Sequence, residues 1–111
     1  MPNNSRKKGI ACEQRLAKDL QRLFPDAKVE LVLNSGSGIK KGDVVMDNIL
    51  IQCKQGGKAV RISEENLLKA RKDAIKRGKS PLTMYKLYSG RRYWILEDSD
   101  AIVLLDSLRK W

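Results

Sequence analysis

Asp43, Gln52 and Lys54 place a carboxylate, an amide oxygen and an ammonium near one end of a short predicted hairpin. The runs Asp43-Val44-Val45-Met46 and Ile49-Leu50-Ile51-Gln52-Cys53-Lys54 are separated by Asp47-Asn48. Two β-type runs across two turn-forming residues predict a tight hairpin. A two-residue loop then pairs Met46 with Ile49, Val45 with Leu50, Val44 with Ile51 and Asp43 with Gln52. Directly opposed residues share a face of the sheet, and the period of two puts Lys54 on the face of Gln52. Two oxygen donors beside a lysine suit a divalent cation that holds a phosphate. Taken singly, Asp43 also fits a strand-start cap and Lys54 a solvated strand end.

The elements around the hairpin must position it. A helix is predicted from about Lys7 to Phe24, after a basic, mobile arm over residues 1–6. Ile10, Leu16, Ala17, Leu20, Leu23 and Phe24 recur at helical spacing, and Pro25 stops the run. Glu13 falls on or beside this apolar stripe, where an unpaired carboxylate is costly. It sits either at the stripe's edge in solvent or against a cation. Ala27 to Leu33 alternates as a strand. Asn34-Ser35-Gly36-Ser37-Gly38, with Lys40 and Lys41, follows. It reads as a flexible connector or as a loop whose backbone N–H groups and lysines approach a phosphate. Ser63-Glu64-Glu65 starts a second helix, with Leu67, Leu68, Ala70, Ala74 and Ile75 as its buried face and Gly78 as its stop. Strands follow over Pro81–Tyr88 and Arg91–Glu97. Asp98-Ser99 caps a last helix carrying Ile102, Val103, Leu104, Leu105 and Leu108. The order α-β-β-β-α-β-β-α predicts an α/β domain with a mixed five-stranded sheet flanked by helices.

The 111 residues suffice for one domain, residues 1–111, with one core. The chain is 41% hydrophobic and 32% charged, with a net charge of +10 and a pI of about 9.9. Such a balance points to a polyanionic partner, most often nucleic acid. Lys69 to Arg92 holds nine basic residues and one acid. Lys69, Lys72, Lys76 and Lys79, with Arg71 and Arg77, are expected on the exposed part of the second helix and its end, where one sign of charge favours phosphate contact. Cys12 and Cys53 are the only cysteines and read as small core residues. With no histidine in the chain, serine–histidine and cysteine–histidine catalysis are excluded. General acid or base chemistry falls to carboxylates, lysine, tyrosine or a metal site. No apolar run is long enough to span a bilayer and no secretory leader is seen, so no membrane partner and a cytoplasmic location are expected.

With these residues in place, the chain resembles the PD-(D/E)XK nuclease superfamily, and within it the small archaeal-type and phage-type Holliday junction resolvases. The resemblance covers most of the chain. It runs from Arg6-Lys7-Lys8-Gly9 and Glu13, through Asn34–Gly38, Gly42-Asp43 and Gln52-Cys53-Lys54, to Lys69–Ala74 and Gly78-Lys79-Ser80-Pro81. Gly42 stands in place of the motif's proline, and Gln52 in place of its usual acid. Gln-x-Lys is also the pattern of Mrr-like restriction nucleases.

The resemblance implies a restriction-endonuclease-like fold and metal-assisted hydrolysis of phosphodiesters in branched DNA, four-way junctions above all. Asp43, the Gln52 side-chain oxygen and the Cys53 main-chain carbonyl would bind Mg²⁺, with Mn²⁺ as a substitute. Glu13 would approach the metal from the first helix, directly or through water, and Lys54 would position the attacking water or neutralise the developing oxyanion. Ser35, Ser37, Lys40 and Lys41 would steady the substrate strand, Arg6, Lys7 and Lys8 a neighbouring phosphate, and Lys69, Lys72 and Lys76 the DNA backbone. Symmetric cutting of two strands implies a homodimer. Ile102 to Leu108, with Trp94 and Trp111, are candidates for its interface. Another structure-specific or duplex nuclease, and a non-catalytic DNA-binding module, are the alternatives.

Overall fold

A computed structural model of the chain describes residues 3–34 and 41–110, with side chains described over 11–32 and 43–110. The order is α1 (Asn3–Leu23), β1 (Val29–Asn34), β2 (Lys41–Met46), β3 (Ile49–Gln55), α2 (Glu64–Lys76), β4 (Ser80–Lys86), β5 (Arg92–Ile95) and α3 (Asp98–Arg109). This is the α/β arrangement expected from the sequence. The five strands lie side by side in chain order. β3 and β4 are parallel and the other neighbouring pairs antiparallel. A parallel pair needs a crossover, and α2 supplies it.

The β2–β3 hairpin has the predicted register, Asp43 opposite Gln52 through Met46 opposite Ile49. Asp47 makes the turn possible by taking the left-handed region (φ 51°), which Asp tolerates better than most residues. Its carboxylate Oδ1 accepts a hydrogen bond from Lys28 N at 3.0 Å, tying the turn to the start of β1.

Alternation along β2 and β3 then sorts side chains between two layers. On one face Val44, Ile51 and Met84 pack under Cys12, Leu16 and Leu20 of α1. On the other, Val45 and Leu50 pack with Ala74 of α2 and with Val32. Full burial of residues such as Leu16 and Ile51 contributes about 1.5–3 kcal/mol each.

α1 begins at Asn3 rather than Lys7, so residues 3–6 of the expected arm belong to its first turns. Asn and Ser favour helix starts and Arg6 is a good helix former, so the helix can begin there. Ser63 caps α2 as expected, its hydroxyl accepting from Asn66 N at 3.1 Å. After Arg77, Gly78 takes φ +70° and ends the helix. The buried face of α2 is narrower than predicted. Ala70 and Ala74 are buried, whereas Leu68 and Ile75 are exposed. The helix seats its 67/70/74 stripe on the sheet, and residues 68 and 75 lie about 100° around the axis from it.

Two further differences lie at the C-terminal end. The N-cap of α3 is Glu97, without a side-chain cap bond, and Asp98 lies in the first turn. The Glu97 carboxylate is instead paired with Arg71 of α2. α3 buries none of its residues, and it meets α2 at its surface, where Asp100 Oδ2 lies 3.9 Å from Arg71 Nη1. Its apolar side chains are therefore not part of this core.

Candidate active site

Asp43 and Gln52 are register partners on the sheet face covered by α2, and Thr83 of β4 continues the row beyond Gln52. Lys54 stands one repeat further along β3 on the same face, opposite Tyr85. Just beyond it the chain passes so close to Tyr85 that a Cβ on Gly56 would meet the phenol oxygen at 2.0 Å. Glycine is what lets β3 end there without displacing Tyr85.

Asp43 is only 5% exposed. The Gln52 side-chain oxygen Oε1 is buried and receives no hydrogen bond from any described residue. A buried carbonyl-type oxygen left without a donor costs about 1–3 kcal/mol. A cation or a bound water would remove that cost, and a hard divalent cation prefers such oxygen donors. The register partner of Gln52, Asp43, supplies a carboxylate on the same face. Among the described residues no three His, Cys, Asp or Glu side chains converge as a metal cluster. A cation here would draw on Asp43, the Gln52 amide and main-chain oxygen, donors that carry one negative charge.

Arg77 completes the site, and the sequence does not single it out. Its guanidinium Nη1 lies 3.6 Å from Asp43 Oδ2, and Nη2 lies 3.5 Å from Asp73 Oδ2. The end of α2 thus reaches over the sheet to β2. Arg71 is also engaged, with Glu97 and Asp100. Both arginines were expected on the solvent-facing part of the helix. The contacts that draw them in join residues 26–34 positions apart, beyond the reach of a local pattern.

Glu13 comes from the layer of α1. It is buried, 6% exposed, as its position on the apolar stripe allows. But α1 covers the Val44/Ile51/Met84 face, opposite to the Asp43, Gln52 and Lys54 side chains. Glu13 therefore does not join them on one face. It lies near Cys53, whose side chain points toward α1. Burial pushes the Cys53 thiol far up, and Glu13, Cys12 and Asp43 add to the rise. The two carboxylates thus act on residue 53 from two layers. Burial likewise raises Cys12, against the cations Lys86 and Arg92.

Both cysteines are free thiols, and their raised pKa values fix a sign. Between the ordinary value of 9.0 and the higher folded values, the unfolded chain gives up thiol protons that the folded chain keeps. Their contribution is complete below pH 9 and is lost as pH rises above it. At pH 8 a thiol reagent such as dithionitrobenzoate is expected to label the native protein at least tenfold more slowly than the guanidinium-unfolded chain. Equal rates would contradict the assignment of a buried Cys12 and a partly buried Cys53, both neutral.

Lys69, Lys72 and Lys76 are exposed on α2 and, at i, i+3 and i+7, form one stripe. Arg6, Lys7 and Lys8 lie on α1 and Lys41 on β2, with their side chains outside the described residues. Ser35, Ser37 and Lys40 lie outside the described residues altogether. Comparison of the chain with protein-family models, with curated proteins and with solved structures finds no match.

Proposed function

We propose that this chain is a divalent-metal-dependent endodeoxyribonuclease that hydrolyses phosphodiesters in branched DNA, in the manner of the junction resolvases its sequence resembles. The observation that carries this reading is the Asp43–Gln52 register pair, a buried carboxylate opposite a buried amide oxygen with no hydrogen-bond donor among the described residues. Asp43, Gln52 Oε1 and the Cys53 carbonyl hold Mg²⁺ or Mn²⁺. A cation bound there supplies the positive charge that polarises the scissile phosphate.

Lys54, on the same face, neutralises charge that develops on the phosphate oxygens. Arg77 has two acidic neighbours, so it can release Asp43 to the cation and keep Asp73. Glu13 acts as a second negative charge beside residue 53, not as a member of the Asp43/Gln52 face. Lys69, Lys72 and Lys76 take backbone phosphates of a duplex arm. The resemblance assigns the same role to Arg6, Lys7, Lys8, Ser35, Ser37, Lys40 and Lys41. Two copies act together on a twofold junction, joined through α3. No described helix is long and apolar enough to cross a membrane.

Incubation with a synthetic four-way junction and with linear duplex, in Mg²⁺ or Mn²⁺, tests the reading. Preferential cutting of the junction is expected. Equal cutting of both would leave a general duplex nuclease. Binding without cutting would leave a non-catalytic module, the reading that Gln52, with its missing charge, favours.

Gln52→Glu adds that charge. It is expected to tighten Mn²⁺ binding, measured by titration calorimetry, on the order of tenfold. It is also expected to lower metal-free stability, because a second carboxylate then faces Asp43. Unchanged metal affinity would remove Gln52 from the ligand set.

A further inference from the structure

The sheet face covered by α1 carries a polar concavity, which the metal-site reading leaves unused. Its volume is about 350 Å³, and Cys12, Arg15, Asp19, Lys86, Gly90 and Arg92 line it. Three cations therefore meet one carboxylate. Asp19 is shared between Arg92, Oδ2 to Nη2 at 3.0 Å, and Arg22, Oδ1 to Nη2 at 3.6 Å. Arg15 and Lys86 form no ion pair with any described residue.

Lys86 and Arg92 are direct cross-strand partners in the antiparallel β4–β5 pair. Like charges placed directly opposite destabilise a sheet. The cost is only partly offset by Asp19, and an anion in the concavity would offset the rest. Trp94 is the next residue of β5 on the same face, opposite Met84, and is 40% exposed. β5 is an edge strand of the sheet. A cation cluster beside an open indole on a sheet edge combines the two features that hold single strands: charge for the backbone and a ring for a base. A duplex satisfies the first alone, because its base faces are stacked away.

We propose that this face binds a single-stranded nucleic-acid segment, with Arg15, Lys86 and Arg92 on successive phosphates and Trp94 stacked on an unpaired base. The site is separate from the Asp43/Gln52 face and does not depend on that face cutting DNA. In a branched substrate it would take an unpaired arm.

The test is a titration of the full-length protein with a twelve-nucleotide thymidine oligomer in EDTA at low salt, so that no metal contributes. Indole fluorescence and the anisotropy of labelled oligomer are both followed. Saturable binding with indole quenching is expected, and inorganic phosphate alone should not quench. Arg15→Glu and Lys86→Glu should each weaken binding at least tenfold and reduce its salt dependence. Trp94→Ala should weaken it roughly tenfold. Trp94→Phe keeps a ring at the position. It should hold affinity within about threefold while losing most of the quench, which separates stacking from a folding defect. Three results would overturn the proposal: a blunt duplex of equal length competing as well as the single strand, charge-reversed variants binding like wild type, or quenching that survives Trp94→Phe.

Discussion

Asp43→Asn is expected to reduce metal-dependent cleavage of a four-way junction on the order of a thousandfold or more, and Lys54→Ala to do so comparably, while both variants still bind the junction. Asp43 is the carboxylate of the proposed cation site, and its charge is what a dication would gain most from. Asn keeps the shape and an oxygen but removes that charge, so packing on the α2 face is conserved. The ion pair with Arg77 is lost, but Arg77 retains Asp73 at 3.5 Å. Stability should therefore fall by much less than activity. Lys54 lies on the same face one repeat away, and its removal would take away the ammonium proposed to meet charge developing on phosphate. Duplex affinity is proposed to rest on the exposed α2 stripe, which neither change touches. The checks are single-turnover cleavage and a binding isotherm in Ca²⁺ or EDTA. Cleavage that survives Asp43→Asn would remove this hairpin from the chemistry.

Leu105→Glu is expected to weaken self-association at least a hundredfold and to leave the melting temperature of the monomer within a few degrees. α3 carries Ile102, Val103, Leu104, Leu105 and Leu108 exposed and buries nothing in the single chain. Ala101, Leu104, Leu105 and Leu108 follow i, i+3, i+4, i+7, the spacing of a seam for another helix. The helix is also charged asymmetrically, with Asp98 and Asp100 in its first turn and Arg109 in its last, followed by Lys110. An antiparallel pairing of α3 with its copy sets each acidic end against a basic end, so the surface complements itself about a twofold axis. In that arrangement one substitution enters the interface twice. Two buried glutamates at about 1.4 kcal/mol or more each give the hundredfold. Sedimentation velocity across a concentration series checks it. A wild-type chain that stays monomeric at tens of micromolar would remove α3 as the dimer surface.

The hairpin was legible in the sequence because its determinants are local. Two β-type runs, a two-residue turn and the period of two suffice to set Asp43 opposite Gln52, and the observed register is that one. Ser63 as the α2 cap is equally local. The layer assignment was not. Periodicity shows that Glu13 lies on a buried stripe, and it is buried, but it does not show which face of the sheet that stripe covers. α1 lies on the face that Val44 and Ile51 share, so Glu13 comes to residue 53 from that side. Arg77 was hidden among basic residues for a similar reason. Its contact with Asp43 depends on where α2 ends over the sheet, a tertiary fact. The apolar run in α3 is ambiguous in principle, because a helix that fills its own core and one that meets a copy have the same spacing.

The most direct test of the central claim is a crystal of the protein soaked in Mn²⁺, read by anomalous scattering. A peak is expected about 2.0–2.4 Å from an Asp43 carboxylate oxygen and from Gln52 Oε1, with Arg77 turned toward Asp73. A peak elsewhere, or none at saturating Mn²⁺ with Asp43 still held by Arg77, would contradict it.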